Sequence, residues 1–281
     1  MSKAAPPSQA ATNAFSSPFT LRLSIIISTI QFWCGPVQGV LSMASEDPVI
    51  DQMQSLIDVW EENGDRRAIF LGCYVLMTRN MLAAVSSGGF EDEVWVSALL
   101  HRFAAYYFQA LEAYDQKPDG APGVWQVAFN AAHQPHTYVM QNLILGMNAH
   151  INYDLVFALA DLLEPEWSGL SPEGRQMRYR DHCQVNEIIY QTINSVQDQV
   201  VDRYSPAMEW VDKLMGPVDE WLTSGLISDW REEVWENATL LIQTPGMAER
   251  EALLRQVEQH SLRRAHSILG EEGITGLIDL I

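Results

Sequence analysis

His150 and Asp154 stand one helical turn apart in Gly146-Met-Asn-Ala-His-Ile-Asn-Tyr-Asp-Leu155, a stretch otherwise dominated by apolar residues. Side chains at i and i+4 of a helix project toward the same point, so an imidazole and a carboxylate at this spacing make an acid–base pair or two metal ligands. The competing reading is a core pair that satisfies only itself. At about 100° per residue, Gln141, Asn148 and Asn152 share one sector of this helix, while His150, Asp154 and Asp161 share the opposite one. Two polar stripes on an apolar helix both need partners, because an unpaired buried polar group costs roughly 1–3 kcal/mol.

Two neighbouring segments supply further candidates. Residues 91–114 are apolar nearly all round, which places His101 and Tyr107 in a mostly buried helix; Trp125 follows after a Pro/Gly loop. In 172–204 the apolar sector set by Val185, Ile189, Ile193, Val196 and Val200 extends backward over Arg178, Asp181 and His182, with Asn186 at its edge. Arg178 and Asp181 read as a structural ion pair or as the wall of a polar cavity. The assignment is therefore His150, Asp154 and Asp181 as catalytic groups, with Asn148, Asn152, His101, Tyr107, Trp125, His182 and Asn186 contacting substrate. No residue is assigned to a metal. His133 and His136, three apart, have a ligand-like spacing but fit a solvated turn better.

The elements that must position these groups are helices. From Pro48 onward the apolar residues recur at helical spacing and no alternating strand pattern occurs. The pattern predicts helices over about 48–62, 65–85, 91–114, a short one near 125–131, 136–163, 172–204, 206–223, 226–243 and 247–269. The fold class is all-α: a single-domain bundle of about eight helices around a buried central helix at about 137–163, occupying residues 48–281. Residues 1–47 form a leader, Ala/Ser/Pro-rich to residue 20, then apolar from Leu21 to Ala44 with Arg22 at its head. That run reads as a targeting or anchoring segment, or as an arm packed on the domain, since Gln31, Pro36 and Gln38 interrupt it. The first reading makes the protein secretory or membrane-associated through 21–44, with Cys73 and Cys183 free to pair; the second leaves it cytoplasmic.

Composition excludes more than it identifies. The 281 residues carry a net charge of -19 and only three lysines, Lys3, Lys117 and Lys213, which leaves no basic face for nucleic acid. There is no glycine-rich phosphate loop, nucleophile elbow, His-Glu-x-x-His zinc helix or aspartate-rich magnesium run. No organic cofactor is expected, and a transition metal only if the His/Asp groups act as ligands.

The Asn148-x-His150-Ile151-Asn152-x-Asp154-Leu155 core resembles the signature of a family of helical proteins of unknown function. The resemblance extends loosely from about Ile50 to Tyr204, taking in His101-Arg-Phe-Ala-Ala-Tyr-Tyr-Phe108, the Pro122–Trp125 turn, and Asp181 with Val185-Asn186. It supports the domain and the choice of residues and implies no reaction. Three functions fit the residues. The first is a cofactor-independent enzyme that cyclises, isomerises or rearranges an apolar small molecule, as in secondary-metabolite biosynthesis. The second is a metal-dependent hydrolase built on His150, Asp154 and Asp181, and the third a non-catalytic carrier of a lipophilic ligand.

Overall fold

Asp47 and Pro48 begin the first helix as their chemistry dictates. The Asp47 carboxylate accepts the Val49 N–H at 3.0 Å, and Pro48 takes a first-turn position where no N–H is needed. The structure, a computed structural model, describes residues 47–204 and 225–270, all within one compact unit. Residues 1–46 of the expected leader (1–47) and the helix expected near 206–223 lie outside the described residues.

In chain order the helices are α1 (Pro48–Glu62), α2 (Arg67–Ser86), α3 (Glu93–Gln116), α4 (Gly123–Ala132), α5 (Val139–Ala149), α6 (Leu155–Trp167), α7 (Pro172–Val196), α8 (Leu226–Gln243) and α9 (Met247–Leu269). No strand occurs among the described residues. The all-α bundle read from helical periodicity is the observed architecture, and most boundaries agree within three residues.

The central element is longer and less regular than expected. α5 and α6 are joined by a π-helical segment, His150–Asp154, so 139–167 runs as one rod with Pro165 in its last turn. A second π segment, Gln197–Val201, breaks the helix expected over 172–204. Neighbours pack along the whole rod: α2, α4 and α9 on α5, α3, α8 and α9 on the π segment, and α3 and α8 on α6. Leu143, Leu145, Leu155, Leu159 and Leu163 are fully buried there, each worth about 1.5–3 kcal/mol of removal from water.

Close approach of α2 to the rod depends on Gly146. A Cβ at this position would lie 2.3 Å from Cγ of Phe70, so the Phe70 ring occupies the space a side chain would fill. That contact brings the aromatic face of α2 against the turn that carries His150.

Candidate functional site

Three helices and the π segment build the site. His150 is 3 % exposed, and its Nδ1 lies 3.0 Å from Oδ2 of Asp154 within the π segment. Trp125 on α4 donates its Nε1–H to the same carboxylate, 3.1 Å from Oδ1 and 3.0 Å from Oδ2. An indole N–H can only donate, so the carboxylate is the acceptor of both contacts and His150 carries its hydrogen on Nδ1. The Nε2 lone pair is then free. That atom is buried and has no hydrogen-bond partner among the described residues.

Aromatic rings fix the imidazole plane. Phe103 of α3 stacks on it at 3.5 Å between centroids and 6° between planes, and Tyr74 of α2 meets it edge-on at 4.4 Å. Phe70, Tyr107 and Trp125 form a second ring cluster behind it. Burial among these rings holds the His150 pKa well below its usual value, so the ring is neutral at pH 7.

His150 lines a cavity of about 100 Å³ together with Phe70, Tyr74, Met77, Leu99, Phe103, Val185, Arg231 and their neighbours, almost entirely through apolar atoms. The other groups in its wall are poorly suited to accept a proton. Burial pushes the Cys73 thiol up to about 12 and raises the Tyr74 phenol well above its normal range, so both stay protonated. Thr78 donates its hydroxyl to the Tyr74 carbonyl at 2.8 Å. Among the described lining residues, His150 is the proton acceptor.

The structure thus brings together His150, Asp154, Trp125 and Tyr107 of the residues singled out in the sequence. It separates the others. Asn148 and Asn152 face away from the cavity: Asn152 donates to Asn148 Oδ1 at 3.0 Å, Asn148 to the Ser261 carbonyl at 2.8 Å, and Ser261 back to the Asn152 carbonyl at 3.0 Å. This stripe is the seam to α9. Asp161, on the other stripe, is taken by Arg102 and Tyr106 at the surface.

Asp181 is nearly fully buried but does not line the cavity. Its two oxygens accept the backbone N–H groups of Glu91 and Asp92 at 2.7 and 2.9 Å, which caps the start of α3 from α7. The expected Arg178–Asp181 pair is replaced by Arg178 bridging Asp92 and Glu166 at 2.6 and 2.8 Å. His101 was expected inside; it lies on the surface, with Nε2 3.0 Å from Asp47 and Nδ1 2.7 Å from the Ser97 carbonyl. Its position on α3 falls just past the edge of the buried stripe. Cys73 and Cys183 are both free thiols.

Spacing alone concealed Arg231. It is 4 % exposed on α8 and lines the cavity. In the sequence it precedes Glu232-Glu233 and looks like surface charge, yet it falls on the stripe of Ile227, Trp230, Val234, Ala238 and Leu241. His182 and Asn186, expected to touch substrate, instead hold this arginine. Nε donates to Asn186 Oδ1 at 2.7 Å and Nη2 to the His182 carbonyl at 2.7 Å, while His182 Nε2–H donates to the Arg231 carbonyl at 2.9 Å.

The donors of a metal site do not converge. Among the described residues, no group of three or more His, Cys, Asp or Glu is placed to hold a metal ion. No curated protein and no solved structure matches the chain at a significant level. A family model does match over residues 47–271, from the N-cap of α1 past the end of α9, and the chain therefore belongs to the family of unknown function DUF5995.

Proposed function

We propose that the protein is an enzyme that moves a proton on a small apolar molecule held in the cavity, using His150 and no organic cofactor. The observation that carries this reading is the unpartnered Nε2 of a buried, neutral His150 at the wall of an apolar cavity. A satisfied core histidine would have both ring nitrogens engaged, because leaving one bare costs about 1–3 kcal/mol. Asp154 holds the acceptor tautomer and steadies the imidazolium that forms when Nε2 takes a proton, and Trp125 holds Asp154. The aromatic walls exclude water and orient the substrate.

In the simplest cycle a C–H or O–H bond of the substrate breaks and its proton passes to Nε2. The electron pair stays in the substrate and forms the new double or ring bond, and the proton returns at another atom. The imidazole ends neutral, so neither oxidant nor reductant enters. Isomerisation and cyclisation are the reactions of this form.

The test does not need the natural substrate. Purified protein in D₂O with a panel of small unsaturated and carbonyl-bearing compounds should catalyse deuterium entry at carbon in one of them. His150→Gln should slow that exchange by at least about 100-fold while the protein stays folded, as expected for loss of a general base. Binding of a panel compound with no exchange would overturn the enzymatic reading in favour of a carrier.

A further inference from the structure

Arg231 is a buried cation in an apolar cavity wall. No aspartate or glutamate pairs with it among the described residues; its contacts are the Asn186 amide oxygen, the His182 carbonyl and, at 3.3 Å, the His182 Nδ1. These engage Nε and Nη2. Nη1, whose two N–H groups complete the guanidinium fork, has no hydrogen-bond partner among the described residues. An uncompensated buried charge is costly, and proteins normally pair it or coordinate it.

The surroundings hold the arginine in place rather than neutralise it. His182 gives its Nε2–H to the Arg231 carbonyl and accepts from Nη2 at Nδ1, so its ring must be neutral. Burial and the adjacent guanidinium keep it so. Arg231 itself is pulled down to about 10 by burial, and it remains charged at neutral pH. The result is a fixed monocation, oriented from two sides, on a residue that lines the same cavity as His150.

We infer that the ligand is an apolar monocarboxylic acid whose carboxylate is held by Arg231 while its tail fills the cavity toward the aromatic wall. This rests on the reading of the cavity as the substrate site and adds the substrate class. Arginine presents parallel N–H groups that match a carboxylate, and the pair is strong where water is excluded. One cation compensates one negative charge; a phosphate monoester would bring nearly two into walls that offer no other donor of charge. Size agrees. Since a roughly 150 Å³ apolar cavity holds benzene, about 100 Å³ takes about four heavy atoms without movement. A longer tail must displace Met77, Met81 or Met147, the unbranched and adaptable members of the lining.

Binding of hexanoate, hexanol and hexylamine to the full chain, measured by calorimetry, tests this. Hexanoate should bind at least tenfold more tightly than hexanol, and hexylamine should not bind detectably. Arg231→Met should abolish the preference for hexanoate while keeping hexanol binding. Arg231→Lys should retain part of it, and the wild-type ligand series stands by itself if either variant fails to fold. Equal affinity for hexanoate and hexanol, or no binding of either, overturns the inference. Failure is separable from that of the proton-transfer reading. Exchange in neutral compounds without carboxylate preference sinks only the acid assignment, whereas carboxylate binding through Arg231 with no deuterium exchange sinks only the enzymatic one.

Discussion

Asp154 places a carboxylate in the core, and its cost is met there by the N–H groups that Trp125 and His150 direct at it. Trp125→Phe deletes the N–H donor and part of the buried indole, so it should cost about 1–3 kcal/mol for the lost hydrogen bond, plus a cavity term, in urea unfolding. The two buried histidines set a pH dependence of stability. His150 and His182 both have folded-state pKa values well below the roughly 6.5 of an unfolded chain. Between those values the unfolded chain binds protons that the folded one refuses. Their contribution is therefore complete above about pH 6.5 and is lost as pH falls from there through the folded values, by up to about 1.4 kcal/mol per pH unit for each histidine. Urea midpoints between pH 7.5 and 5 should show this slope, and His150→Gln should reduce it. At this scale the His150–Asp154 pair was legible, because helical spacing alone puts the two groups together. Its third member, Trp125, lies 29 residues from Asp154 on a different helix, and no spacing rule connects them.

At the scale of elements, the glycine and the cap set the positions of the helices around the site. Gly146→Ala is favoured by helix propensity by up to about 1 kcal/mol, yet its methyl group would overlap the Phe70 ring. The clash should dominate, giving net destabilisation of about 1–3 kcal/mol, and Phe70→Leu should recover part of it in a double-mutant cycle. Asp181→Ala removes the acceptor for two backbone N–H groups ahead of α3 and should cost about 1–3 kcal/mol, read from thermal or urea unfolding, with ligand binding in the cavity retained. Helix existence was readable from periodicity, which begins at Pro48 as the structure has it. The π segments were not, because a period of 3.6 is assumed in reading the pattern. The role of Asp181 was also hidden: a buried acid on an apolar sector fits a cap reaching across to another helix as well as it fits a catalytic group.

The chain carries a net charge of -19, and the described core is built almost wholly of apolar side chains. Arg67–Ser86 and Val139–Trp167 are each long and apolar enough to cross a membrane, but 89 % of the most apolar window of the second is buried in the bundle, as befits a core rod. Such a core should open only with substantial unfolding, and Cys73 reports on it. Its thiol is buried and pushed up to about 12, whereas Cys183 is partly exposed. Alkylation mapped by mass spectrometry should therefore label Cys183 well before Cys73, and a saturating cavity ligand should slow Cys73 further in proportion to its occupancy. The π segment has a consequence for how such a rod tolerates editing. A five-residue stretch bonded i to i+5 is, in effect, an α-helix carrying one residue too many, and Leu155 N–H closes it onto the His150 carbonyl. Removing Ile151 would let the rod snap into a uniform α-helix, rotating one half against the other by about 100°. Either the asparagine seam or the faces buried by α3 and α8 would then turn away from their partners. The extra residue works as a gear tooth: it keeps the two halves of the rod out of phase by the amount that lets one end mesh with α9 while His150 looks into the cavity.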